Sequence, residues 1–191
     1  MTSKPIVGVL IGGASRRMGG APKGMLLVDP SGRAAPDGEP IAARLLRIVR
    51  ELELEVVLVG NLDVYDALGA MRIEDAVADS GPLGGVVALL RHAGGRDVVV
   101  LACDLPRVRA STIDRLARAT TTCAPKIEGV WQPIVARWRA STSPIAERRL
   151  AERRLALHAI LDEVGAAELS LDDDERRALV DWDTPTDVDS A

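Results

Sequence analysis

Ile6-Val7-Gly8-Val9-Leu10-Ile11-Gly12-Gly13-Ala14-Ser15-Arg16-Arg17-Met18-Gly19-Gly20-Ala21-Pro22-Lys23 is the stretch on which the fold turns. A short apolar run of the kind that forms a buried strand passes directly into a loop rich in glycine and cations. Gly12, Gly13, Gly19 and Gly20 allow close approach of backbone to a ligand, and Arg16, Arg17 and Lys23 supply positive charge beside the bare amides. That pairing suits a chain of phosphates. A strand ending in a phosphate loop points to an α/β sheet with its ligand at the strand carboxyl ends.

The rest of the chain fits such a sheet. Apolar runs alternate with helical patterns, the sequence form of parallel strands joined by crossover helices. Strands are expected at 7–11, 56–59, 71–74 and 98–103, and helices at 40–51, 64–68, 84–92 and 112–119. Ser111-Thr112-Ile113-Asp114 reads as a hydroxyl-capped helix start. Trp131 to Trp138 suggests a strand, followed by one long amphipathic helix over about 144–163. Residues 29–40, D-P-S-G-R-A-A-P-D-G-E-P, read as a surface loop without periodicity or function of their own. Glu147 to Arg154, E-R-R-L-A-E-R-R, reads as a solvated, salt-bridged helix face. The acidic end, 172–191, is expected to fray.

Composition narrows the function classes. At 191 residues the chain suits one domain, with a nucleotide half at about 1–110 and an acceptor half at about 111–191. With no Phe, one Tyr and three Trp, the core must be built from Leu, Val, Ile and Ala. A net charge of -4 argues against nucleic acid as a partner. Two cysteines without C-x-x-C spacing exclude a disulfide framework or zinc site, and Cys103 reads as a buried, inert thiol. The N-terminus lacks an apolar signal core and no stretch reaches membrane-spanning length, so a cytoplasmic protein is expected.

A second chemical signal is V-V-V-L-A-C-D-L-P at 98–106. An apolar strand delivers the Asp104 carboxylate to the edge where a nucleotide would lie, which suits Mg²⁺. The same residue could equally cap the next turn.

Two common phosphate loops fail on register. Walker A needs Gly-Lys-Ser/Thr, whereas Lys23 follows Pro22 and precedes Gly24, and the glycines do not fall as G-x-G-x-x-G. The loop instead resembles the G-G-x-x-x-R-M-G signature, followed by a lysine, of the molybdenum cofactor nucleotidyltransferases, and most closely the guanylyltransferases among them. Cys103-Asp104-Leu105-Pro106 is similar to that family's C-D-x-P metal motif, Glu74-Asp75 with Gly81-Pro82-Leu83-Gly84-Gly85 to its E-D and G-P-L-x-G pieces, and Gln132-Pro133-Ile134 to its Q-P-L/I segment. Asp181-Trp182-Asp183-Thr184-Pro185 resembles its N-x-N-T-P segment, with both asparagines replaced by aspartate.

The resemblance implies a Rossmann-like three-layer α/β fold with a mostly parallel sheet, of the nucleotide-diphospho-sugar transferase type. It implies GMP transfer from GTP to molybdopterin with loss of pyrophosphate. Lys23, Arg17 and Asp104 would be catalytic, with Mg²⁺ on Asp104. Leu10, Ile11, Gly12, Gly13, Ser15, Gly19, Lys23, Asn61, Asp75, Gly84 and Asp104 would bind the nucleotide, and Gln132, Asp181 and Asp183 would face the acceptor. Transient contact with a molybdoenzyme or another cofactor-assembly protein would follow. Relatives using CTP tend to carry A-A-G where this chain has Ile11-Gly12-Gly13, which favours guanine. The departures are Pro22 in place of an acid before Lys23 and the two aspartates. They keep open a cytidylyl- or sugar-phosphate transferase, and a catalytically silent nucleotide-binding module.

Overall fold

The first strand, β1 (Ile6–Leu10), is buried at every position, as a continuous apolar run requires. The computed structural model describes residues 3–12 and 22–179. After β1 come a short hairpin, β2 (Leu27–Val28) and β3 (Glu39–Pro40), helix α1 (Ile41–Glu51), β4 (Glu55–Val59) and β5 (Arg72–Ile73). Helix α2 (Gly81–His92) leads to β6 (Val98–Ala102), α3 (Ala110–Arg118), β7 (Cys123–Ala124) and a second hairpin, β8 (Lys126–Ile127) and β9 (Val130–Trp131). The chain continues through β10 (Val135–Trp138), α4 (Ser143–Ala151), α5 (Leu157–Glu163), β11 (Ala167–Glu168) and α6 (Asp173–Ala178).

Seven strands form the main sheet in the order β11-β7-β10-β6-β1-β4-β5. β5, β4, β1 and β6 run parallel, β10 is antiparallel to both its neighbours, and β11 is parallel to β7. Alternation along the strands separates two apolar layers. Val7, Val9, Leu58, Val99 and Leu101 face α1 and α3, while Ile6, Leu10, Val57, Val59, Val98 and Val100 face α2, α4 and α5. The result is the expected three-layer, mostly parallel α/β sheet. In α1, Ile41, Ala42, Leu45, Leu46, Ile48 and Val49 recur at helical spacing and are all buried. Gly8 sits where α2 crosses β1, and a Cβ there would lie 2.3 Å from Leu89 Cδ2. Glycine is the residue that lets this helix settle onto the sheet.

Several sequence expectations need correction. The helix expected from 144 to 163 is two helices, α4 and α5, with Arg153 between them at φ 57°. The strand expected over 131–138 is split into β9 and β10 by Gln132 and Pro133, since proline cannot donate to a ladder. Helix α3 begins at Ala110 without a side-chain cap, and Thr112 Oγ1 instead donates to Glu175 Oε1 at 3.1 Å. The segment Gly81 to Gly85 is the first part of α2 and not a turn before it. Arg149 is buried rather than solvated, its guanidinium 2.8 Å from Glu163 Oε2, while Arg148 reaches the other oxygen of the same carboxylate. Among the described residues the core admits two fully buried aromatics, Tyr65 and Trp138.

The far half of the sheet is tied to the near half by Arg137, also buried. Its guanidinium donates to the carbonyls of Leu116 and Ala117 at the end of α3 and to Asp97 Oδ2 at 2.7 Å. No helix among the described residues is long and apolar enough to cross a membrane. The capping box of Asp172 and Glu175 orders the start of α6. The end of the acidic segment, 180–191, lies outside the described residues.

Candidate active site

The chain leaves β1 through α1 to β4 on one side, and returns through α2 to β6 on the other. The order of connection therefore reverses between β1 and β6, and their carboxyl ends part to leave a crevice. Ile11 N donates to Val59 O at 2.9 Å and Cys103 N to Leu10 O at 3.1 Å, which holds the two lips in register. Leu10 and Ile11 are buried below the crevice, Gly12 is exposed at one lip, and Asp104 stands at the other.

Lys23 arrives from a separate direction. Pro22 opens a 3-10 turn over Lys23–Met25, with Met25 N donating to Pro22 O at 2.9 Å. Gly24 N donates to the Tyr65 hydroxyl at 3.1 Å, and a Cβ on Gly24 would lie 2.9 Å from that hydroxyl and 3.0 Å from Cys103 Cβ. Only glycine lets the turn rest against the residue preceding Asp104. Lys23 Nζ then donates to Asp104 Oδ2 at 3.0 Å, with both side chains less than one-fifth exposed. Asp104 Oδ1 is buried and has no hydrogen-bond partner among the described residues. Burial pushes the Tyr65 hydroxyl far above its usual range and the Cys103 thiol up to about 12, so both stay neutral.

Asp75 forms the wall on the β4–β5 side. Its backbone amide donates to Asn61 Oδ1 at 3.2 Å, and Gly60, at φ 140°, packs so closely that a Cβ would lie 2.8 Å from Gly12 N. A Cβ on Gly12 would lie 3.4 Å from Asp75 Oδ2, and one on Gly85 would lie 3.2 Å from Oδ1. Burial raises the Asp75 carboxyl above its ordinary value. Gly84 is buried one residue earlier in α2, where a Cβ would lie 2.0 Å from Ser80 Oγ, and its carbonyl accepts from Ala76 N. Close packing alone accounts for glycine there.

The 29–40 segment touches this site. Asp29 Oδ1 accepts from Ser31 N, Ser31 Oγ and Arg33 N, which folds the loop back, and the Ser31 hydroxyl foremost holds its carboxyl below the usual range. Gly32, at φ 84°, abuts the turn after Asp104 so that a Cβ would lie 2.3 Å from Pro106 O. On the other flank, Gln132 N donates to Pro125 O and its side-chain amide to Val130 O, so Gln132 closes the base of the β8–β9 hairpin.

The structure thus brings Gly12, Lys23, Asn61, Asp75 and Asp104 around one crevice. Gly13, Ser15, Arg17, Gly19, Asp181 and Asp183 lie outside the described residues. Tyr65, Gly24 and Gly32 were not singled out from the sequence. The lone tyrosine of a chain without Phe was the available signal for the first.

A divalent cation fits the lip at Asp104. Among the described residues no cluster of three or more His, Cys, Asp or Glu could hold a metal unaided. A carboxylate with one orphaned buried oxygen is nevertheless what Mg²⁺ needs when water and substrate phosphates complete its shell.

Comparison with known proteins agrees with this geometry. The family model described as the MobA-like NTP transferase domain matches residues 7–167. A molybdenum cofactor guanylyltransferase of Pseudomonas putida (strain GB-1) is 35% identical, over 93% of this chain and 92% of its own. Another from Pseudomonas entomophila (strain L48) is 30% identical over 96% and 97%. In structure, the chain is similar to molybdopterin-guanine dinucleotide biosynthesis protein A from Archaeoglobus fulgidus, with a TM-score of 0.76 at 21% identity over 97% of this chain and 95% of that one. It also resembles a 2-C-methyl-D-erythritol 4-phosphate cytidylyltransferase from Thermus thermophilus, with a TM-score of 0.66 at 14% identity over 100% and 97%.

Proposed function

The chain belongs to the MobA-like NTP transferase family, and from that premise we propose that it transfers GMP from GTP to molybdopterin with release of pyrophosphate. The observation that carries the reading is the Lys23–Asp104 pair at the β1/β6 crevice, with Asp104 Oδ1 left unsatisfied.

In this reading a terminal phosphate oxygen of molybdopterin attacks the α-phosphorus of GTP. The new phosphorus–oxygen bond forms as the bond to the β-phosphate bridging oxygen breaks, and the electron pair leaves with pyrophosphate. The acceptor oxygen is already ionised at neutral pH, so no general base is required. The protein's task is positioning and charge neutralisation. Lys23 and Arg17 stabilise the triphosphate. Backbone amides from Gly12 to Gly20, with Gly13, Ser15 and Gly19 among them, cradle the leaving pyrophosphate. Asp75 offers acceptor oxygens to N–H or O–H donors of the nucleoside, steadied by Asn61. Asp104 is the residue that would hold Mg²⁺, which when bound screens the triphosphate and the departing charge. Gln132, Asp181 and Asp183 belong to the acceptor side. Such an enzyme works in the cytoplasm and hands its product to a molybdoenzyme or another cofactor-assembly protein.

The test is Mg²⁺-dependent pyrophosphate release with molybdopterin and each of GTP, CTP, ATP and UTP. Release with GTP alone is the expected result. Release with CTP alone would move the protein to cytidylyl transfer, and no release from folded protein would overturn the reading.

A further inference from the structure

The hairpin of β8 and β9 leaves the sheet at the same edge as the crevice. β7 runs in the direction of β6, because β10 is antiparallel to both. Residues 125–134 therefore project beyond the strand carboxyl ends. Ala102 N donates to Ile134 O at 2.9 Å, which fixes the returning end of the hairpin beside the residue two before Asp104. Adjacent strands are about 4.8 Å apart, so the hairpin base stands about 10 Å from the Asp104 lip.

Within the hairpin, Lys126 and Trp131 are directly opposed cross-strand partners. The Lys126 ammonium sits 4.1 Å from the centroid of the Trp131 ring. The ring cannot swing away, because its Nε1 donates to Asp162 Oδ1 on α5 at 2.8 Å and its body packs on the α2-side core. Glu128 at φ 50° and Gly129 at φ 79° make a tight primed turn that fixes the register. Among the described residues, Lys126 has an aromatic face for a partner and no carboxylate. An aromatic face orients an ammonium without neutralising it. The hairpin thus holds the Lys126 ammonium at the crevice edge, on the side of β6 away from β1.

That side matters for an in-line displacement. In the reading above the leaving pyrophosphate lies on the Gly12 side of the crevice, so the attacking oxygen comes from the opposite direction. The attacker is itself an anion and is repelled by the triphosphate it approaches. A cation on its path lowers that repulsion.

Resting on the guanylyltransferase reading above, we propose that Lys126, held on the face of Trp131, binds the phosphomonoester of the incoming acceptor and thereby selects phosphorylated acceptors. In this proposal Lys126 contacts the acceptor phosphate and not the nucleotide, so its effect falls on the acceptor.

Steady-state pyrophosphate release by the full chain tests this, with molybdopterin and GTP varied in turn. Lys126→Ala should raise the KM for molybdopterin about tenfold and leave the KM for GTP and the melting temperature unchanged. Lys126→Arg, which keeps the charge and stacks on indole, should recover most of the loss. An unchanged molybdopterin KM, or equal rises in both KM values, would overturn the proposal and assign the pair to hairpin stability. Wild-type protein that fails with molybdopterin would instead overturn the guanylyltransferase reading, and with it the proposal that rests on it.

Discussion

Lys23 Nζ lies 3.0 Å from Asp104 Oδ2, although 81 residues separate the two in sequence. The pair is built from two unrelated pieces of chain, a 3-10 turn opened by Pro22 and the end of the central strand β6. Without nucleotide, each charge is the other's counterion. In the proposed reaction Lys23 turns to phosphate and Asp104 to the metal once both ligands enter, so the pair is remade around them.

Lys23→Ala should lower kcat/KM for GTP about 100-fold, the size of losing one well-placed donor to a developing charge. It leaves Asp104 without its cation in a site less than one-fifth exposed, so stability should also drop by about 1 kcal/mol in urea unfolding. Wild-type turnover in this variant would remove Lys23 from the mechanism.

Asp104→Asn keeps the shape of the side chain and removes its charge. Turnover should fall by about 2 kcal/mol of transition-state stabilisation or more, with the Mg²⁺ concentration for half-maximal rate rising severalfold. A rate loss with no change in Mg²⁺ dependence would count against Asp104 as the ligand.

Gly32→Ala tests whether the 29–40 segment is a bystander. The backbone at φ 84° disfavours any Cβ, and the added atom would collide with the Pro106 carbonyl at 2.3 Å. A stability loss of about 1–3 kcal/mol is expected, and because the collision pushes on the turn carrying Asp104, a weaker response to Mg²⁺ should accompany it. A purely thermal defect would restrict the segment to a structural role.

Gly8→Ala should cost about 1–3 kcal/mol by forcing Leu89 off the sheet. Leu89→Ala alone should cost about 2–5 kcal/mol through the cavity it leaves. In the double variant the new methyl occupies part of that cavity, so the two losses should sum to more than the measured total. Strict additivity would mean that α2 shifts as a body instead.

Acid sensitivity should come in part from Asp97. Burial acts to raise its pKa, but the Ala140 amide and the Arg137 guanidinium together outweigh burial and hold the carboxyl below the usual range. A depressed carboxyl lends stability at pH values above its unfolded pKa of about 3.9, and that contribution disappears as pH falls through the lower folded value. Unfolding free energy should therefore be steady near neutrality and decline below about pH 4, with a shallower decline in Asp97→Asn. Equal acid slopes for the two proteins would show that other carboxylates dominate.

The parallel core and its crevice were legible because they rest on local signals. Apolar runs such as 6–11 and 98–103 announce buried strands, and the glycines and Asp104 follow them immediately. What sequence concealed was long-range. Nothing near Arg149 or Arg137 announces that the guanidinium is buried, since the partners Glu163 and Asp97 are supplied by the fold. Periodicity across 144–163 hid the break at Arg153, because two short helices on one sheet face share an apolar stripe. Gly32 looked like loop filler until its neighbour, the Pro106 carbonyl, came from a distant turn.

The reversed strand of the main sheet, β10, has a further meaning. By running against the sheet it makes the chain leave and re-enter at the crevice edge within residues 125–134, through the tight β8–β9 hairpin. On the proposed reading, the nucleotide contacts among the described residues, from Gly12 to Asp104, all precede that excursion. Insertion, shortening or replacement of the hairpin could therefore redirect the enzyme to a different acceptor while its nucleotide half stays intact, making this excursion the part of the architecture most open to evolutionary change.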